Sequence, residues 1–243
     1  DDMFASAYSL RHILGVLPAK NYDVLWGQFY AEDNLADGMI RLNLRHENSV
    51  FIHCKLFRRQ FLLDNKLTFP EDLEFNEDSA FCAIAFAICD YKRVGEIKAE
   101  TPLYIWAYRE GSLTATQENQ ARAFRGMYFR NKKVVEAFKE RLGADRYQTM
   151  VCRACYDAYH MLNIDRIPEE MEPVAEDFRI FWKEHKADFL ACDRDLRLEA
   201  AEASAKERAV GDREEVERWG ELKEMVFRKE IPFGQWVRQI EAE

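Results

Sequence analysis

The chain has 243 residues, 48% of them apolar and 13% aromatic, with a formal net charge of −9. That composition supports a packed core and excludes a disordered chain, and the length accommodates one or two domains of about 100–200 residues each. An acidic chain lacks the broad positive field that holds phosphate polyanions, which disfavours non-specific nucleic-acid binding without excluding it, and the longest strongly apolar run, Phe81 to Cys89, is too short for the ~20 residues of a membrane-spanning helix.

Leu10, Ile13, Leu14 and Leu17 fall at helical spacing ahead of Pro18, which predicts a helix over residues 3–17. Tyr22 to Tyr30 is dense in Val, Leu, Trp and Phe and reads as a buried strand, followed by an acidic loop from Glu32 to Asp37. Ile40, Leu42 and Leu44 alternate with Arg41, Asn43 and Arg45, the pattern of a half-exposed strand. Leu56, Phe57, Phe61 and Leu63 can share one face of a helix over Lys55 to Leu63, and Phe69-Pro70 breaks it because the residue before Pro avoids the α region. A helix from Glu77 to Tyr91 follows, with Asn76 as N-cap and two acids in its first turn; short strands near Val94 and over Tyr104 to Tyr108 come next.

Beyond Thr114 strand signals vanish. Phe124, Met127, Tyr128, Val134, Val135, Phe138 and Leu142 predict a helix ending at Gly143, and further helices are expected over 145–163, 172–191, 194–218 and 219–229. The expected division is therefore an α/β part over residues 1–116 and an all-helical part over 117–243. Six cysteines in a chain of this length do not read as a disulfide framework. Cys54, Cys82 and Cys89 lie in apolar patterns as reduced core thiols, and with no secretory signal visible from Asp1 onward the reading is cytoplasmic. Cys152-x-x-Cys155 with His160 suggests zinc, but a structural zinc site needs four ligands; the pair lies in a helical pattern with Met150, Val151 and Tyr156 and reads as core packing.

Four blocks occur in order: Asp1-Asp2-Met3-Phe4, then Lys55-Leu56-Phe57-Arg58-Arg59, then Phe69-Pro70 with Glu77-Asp78, and finally Tyr108-Arg109-Glu110-Gly111-Ser112-Leu113-Thr114. Their order resembles the second half of the catalytic domain of family-two glycosyltransferases with the GT-A fold. The resemblance implies an α/β fold that is the C-terminal half of a Rossmann-like domain. It also implies transfer of a sugar from a nucleotide-diphosphate donor to a glycan or other hydroxyl acceptor, with inversion. The expected partner is the missing N-terminal half of the domain, the part that holds the donor nucleotide. The segment from residue 117 carries no motif of this kind and reads as an appendage.

By the same resemblance Asp1 and Asp2 bind a divalent cation (Mn or Mg) and the donor. Hard cations prefer oxygen ligands, and phosphates and water would complete the shell; the plainer reading is a helix cap. Asp78, with Glu77 beside it, is the expected general base that takes the acceptor proton, against a plain role as helix-start acids. Lys55 and Arg58 are expected on the donor diphosphate, since Arg forms bidentate phosphate contacts; the alternative is a solvated helix face. Arg109 and Ser112 are expected on a loop closing over the donor, hinged at Gly111, against a simple exit loop. His46 and His53 lie near these blocks and read first as structural residues. The cluster Lys55-Arg58-Arg59 also leaves open an acceptor that is a hydroxylated base of phage-type DNA, and the helical segment leaves open a non-catalytic interaction module.

Overall fold

A computed structural model describes residues 2–17, 21–35, 38–45, 51–98, 102–107, 126–139, 141, 143–165, 168–208 and 233–242. The chain divides into two compact units, Asp1–Gln120 and Ala121–Glu243, against an expected boundary near residue 117. No helix among the described residues is long and apolar enough to cross a membrane.

The first unit is mixed α/β. In order it contains β1 (Met3–Phe4), α1 (Ser9–Val16), β2 (Val24–Gly27), β3 (Phe29–Asn34), β4 (Ile40–Arg45), β5 (Lys55–Phe57), α2 (Arg59–Asp64), α3 (Glu77–Ile88), β6 (Val94–Ile97) and β7 (Tyr104–Trp106). Two sheets form, in the orders β5-β2-β6 and β1-β7-β3-β4. In the first, β2 runs parallel to β6 and antiparallel to β5. In the second, β3 runs parallel to β7 and antiparallel to β4. The run expected as one strand, Tyr22 to Tyr30, is thus two, split at Gln28, where the chain leaves one sheet and enters the other.

Successive side chains of a strand point to opposite faces, and this divides the core of the first sheet in two. Leu25 and Leu56 pack with Ile13 of α1, Ile97 and Leu103 on one side. Val24 and Phe57 pack with Phe61 of α2, Ala85 and Cys89 on the other. Two glycines permit close approach here. A Cβ on Gly95 would stand 2.5 Å from Tyr22 Cε1 and 2.7 Å from Leu25 Cδ2, and one on Gly27 would stand 3.0 Å from Cys54 Sγ.

Several expectations need correction. The first helix starts at Ser9, not Met3, because Met3–Phe4 pair with β7; its Leu10 and Leu14 are exposed and Ile13 faces the core. The acidic segment is not all loop: β3 continues to Asn34, and Asp33 answers Arg41 across the strands at 3.1 Å. Ile40, Leu42 and Leu44 do form a strand, but all three are exposed. Lys55–Phe57 is a strand rather than the start of a helix, and α2 ends at Asp64, well before Phe69-Pro70. Phe69 instead stacks on Phe81 of α3, with ring centroids 4.3 Å apart. Asn76 adopts a left-handed conformation, φ 65°, and makes no side-chain cap hydrogen bond.

The second unit is helical among its described residues: α4 (Met127–Phe138), α5 (Ala144–His160) continued by a π turn at Met161–Asp165, α6 (Pro168–Ala191), α7 (Arg194–Arg208) and α8 over 233–242. The last was not anticipated, and the expected helix over 219–229 lies outside the described residues. Tyr128, Phe178, Phe181, Val134, Val135 and Val151 are fully buried. Phe233 and Trp236 of α8 pack on Tyr156, Tyr159 and Phe178. Cys152 and Cys155 are buried core thiols, as expected.

Candidate functional site

The chemistry gathers at the carboxyl end of β2, where ligands sit in open α/β folds. Trp26 pairs with Lys55, and the Gly27 N–H donates to the Cys54 carbonyl at 3.0 Å. This places the turn His53-Cys54 beside the exit of β2. Cys54 holds φ at 54° and Asn76, one residue before Glu77, holds 65°. Such conformations are costly for residues with a Cβ and cluster where a structure must aim nearby side chains.

His53 is the centre of the group. Its ring stacks on Trp106 at 4.7 Å and 20° and lies 5.9 Å from Tyr104. Phe29 and Phe51 flank it at 5.4 and 6.0 Å. Tyr104 and Trp106 reach the same face because they are two apart on β7. Burial holds the His53 imidazole below its ordinary value of 6.5, although the carboxylates of Asp2 and Asp78 pull it up. Asp2 and Asp78, far apart in this unit's sequence, thus both act on one imidazole. Asp78 starts α3 and accepts the Ser79 N–H at 2.6 Å.

Asp2 fastens β1 to β7. Its Oδ2 accepts the Tyr104 hydroxyl at 2.7 Å, and its Oδ1 accepts the Ala107 N–H at 3.1 Å. Burial first, then Asp2, push the Tyr104 hydroxyl well above its usual pKa. Lys55 donates to the Phe51 carbonyl and lies 6.0 Å from the Phe86 ring. Burial raises the Cys54 thiol to about 11 and that of Cys82, one turn beyond Asp78, to about 12, so both are thiols at neutral pH.

Of the expected site residues, Asp2, Lys55 and Asp78 all lie within electrostatic reach of His53, and Glu77 is half-buried beside Asp78. Arg58 does not join them. It projects from the opposite end of β5, donates to Asn21 Oδ1 at 2.5 Å and lies 3.9 Å from Asp23. Asp23 is buried and bonded to Arg93 at 2.6 Å. These residues line a polar cleft of about 540 Å³ with Gln60, Asp64, Asn65 and Asp90. It lies at the amino ends of β2 and β6, away from His53. Asp1, His46, Arg109 and Ser112 lie outside the described residues.

The described residues do not make up a cation site of their own. No three His, Cys, Asp or Glu side chains among them could hold a metal ion, and each oxygen of Asp2 already accepts a hydrogen bond. The aromatic wall of Phe51, Tyr104 and Trp106 was not singled out from the sequence. The signal was present in Tyr104-x-Trp106, two rings on one face of a short strand. No protein-family model matches the chain, and no curated protein matches it.

Proposed function

We propose that the chain forms the acceptor side of a glycosyltransferase site of the GT-A type, which moves a sugar from a nucleotide-diphosphate donor to a hydroxyl acceptor with inversion. One observation carries the reading: Asp2, from the first of the four ordered blocks, is bonded to Tyr104, whose ring stacks on His53 at the carboxyl end of β2, and Asp78, from the third, lies within electrostatic reach of the same imidazole. In the proposed step the acceptor oxygen forms a bond to the anomeric carbon while the bond from that carbon to the diphosphate oxygen breaks. The diphosphate leaves with the electron pair, and the acceptor proton passes to the Asp78 carboxylate. Asp2, held by Tyr104 and Ala107, shapes the wall facing that acceptor. Lys55 is the cation of the group, and Arg58 is assigned no role in transfer. Six free thiols fit the cytoplasmic placement.

The test is turnover of UDP- and GDP-sugars by the protein expressed from its own gene, wild type against Asp78→Asn. Loss of a general base lowers the chemical step by about 10²–10⁴-fold while sparing donor affinity. No turnover of any donor by the wild type, or equal turnover by the variant, refutes the proposal.

A further inference from the structure

We propose that Phe51, His53 and Trp106 form a stacking surface for a pyranose ring, so that the acceptor is a carbohydrate rather than a nucleic-acid base. This rests on the transferase reading for the word acceptor, though not for the binding itself. Phe51, His53, Tyr104 and Trp106 are each only partly buried. Phe29, 1% exposed, backs them from the core. The three rings form a triangle, with centroids 5.7 Å apart for Phe51 and Trp106, 6.0 Å for Phe51 and His53, and 4.7 Å for His53 and Trp106. Aromatic faces carry partial negative charge, and the axial C–H groups of a pyranose present the complementary sign.

Charge decides between ligands that stack. A sugar is uncharged and brings hydroxyls that both donate and accept; each carboxylate oxygen has a second lone pair, so Asp2 and Asp78 keep capacity to accept from them. A base within a nucleic acid comes with backbone phosphates, which two carboxylates oppose, while the Lys55 ammonium is already bonded to the Phe51 carbonyl. The net charge of −9 adds no attraction for a polyanion. Burial lowers the His53 pKa, which favours the uncharged ring. Tyr104, tied to Asp2, fixes the wall before any ligand arrives, so less ordering is lost on binding.

The experiment is saturation-transfer NMR on the 243-residue chain, irradiating the aromatic protons. The probes are methyl β-glucoside, methyl β-galactoside and methyl α-mannoside, with uridine diphosphate as the phosphate-bearing comparator. Saturation is expected on one face of at least one pyranoside. Trp106→Ala should weaken binding about tenfold, the equivalent of 1.4 kcal/mol, and Arg58→Ala in the distant cleft should leave it unchanged. Trp106→Phe and Phe51→Ala read the same surface if Trp106→Ala fails to fold. No saturation of any pyranoside, saturation unaffected by every wall variant, or displacement of the pyranoside by uridine diphosphate would overturn the inference. Pyranoside binding without donor turnover upholds this surface and sinks the transferase reading; donor turnover without pyranoside binding does the reverse.

Discussion

In the first unit Asp2 is exposed and His53 and Asp78 are partly buried at strand and helix ends, whereas in the second unit Asp157, His160 and Ser204 are sealed between helices. The second set holds the residue types of a hydrolase: an acid, a histidine and a serine. Their hydrogen bonds say otherwise. The Ser204 hydroxyl donates to Asp157 Oδ1, its oxygen lies 3.0 Å from His160 Nδ1, and Asn131 Nδ2 donates to the other Asp157 oxygen at 2.5 Å. A serine whose proton is given to a buried carboxylate is not poised to attack anything. The network ties α4, α5 and α7 together, and Arg153 of α5 lies 3.8 Å from Asp157. Residue type alone therefore does not mark a site here; exposure does.

The sharpest break of this contrast is Asp157→Ala against Asp78→Ala in urea unfolding. Removing one partner of a buried charged network costs about 3–5 kcal/mol, and Asp157 is fully buried. Asp78→Ala loses only a first-turn acid, about 0.3–1 kcal/mol. Equal costs would mean that Asp78 is a structural residue.

Next in size is Gly95→Ala. Its new methyl would meet Tyr22 Cε1 at 2.5 Å, and overpacking of this kind costs about 1–3 kcal/mol. A neutral result would show that Tyr22 swings away freely and that this side of the first sheet is loosely packed.

Asn76→Ala should cost about 1–2 kcal/mol, since the short polar side chain of Asn tolerates the left-handed conformation at φ 65° and Ala does not, while Asn76→Gly should be close to neutral. Differential scanning calorimetry of both variants checks this. If Ala were tolerated as well as Gly, the strain beside Glu77 would not be real.

The smallest effect is acid lability. Burial lowers the pKa of both His53 and His185 from 6.5. The unfolded imidazoles then bind protons that the folded ones resist, so stability holds above pH 6.5 and falls as the pH drops below it towards the folded values. Hydrogen exchange followed through this range should show both units loosening. His53→Phe should flatten the response of the first unit alone.

Much of the secondary structure was legible because periodicity records burial. α3 and the helices of the second unit follow their apolar residues closely. Lys55 to Leu63 misled because Leu56 and Phe57 are neighbours that enter opposite cores, across the two faces of one strand. A helical face and a strand serving two cores produce the same local composition. The sequence blocks named Asp2, Lys55 and Asp78 without their geometry, and they grouped Arg58 with Lys55 although strand β5 carries the two to opposite ends. The ring wall stayed hidden because Phe51, His53 and Trp106 meet only when β7 pairs with β3, a contact between distant parts of the chain.

The cysteines have a practical consequence. All six are free, five are buried, and burial pushes each thiol above its ordinary value. The reactive species is the thiolate, so burial and the raised pKa values slow the reaction of these thiols with maleimides in the folded chain. A single cysteine introduced on the surface would then take a fluorophore or spin label without removal of the native six, and distances measured from it would report on the folded molecule alone.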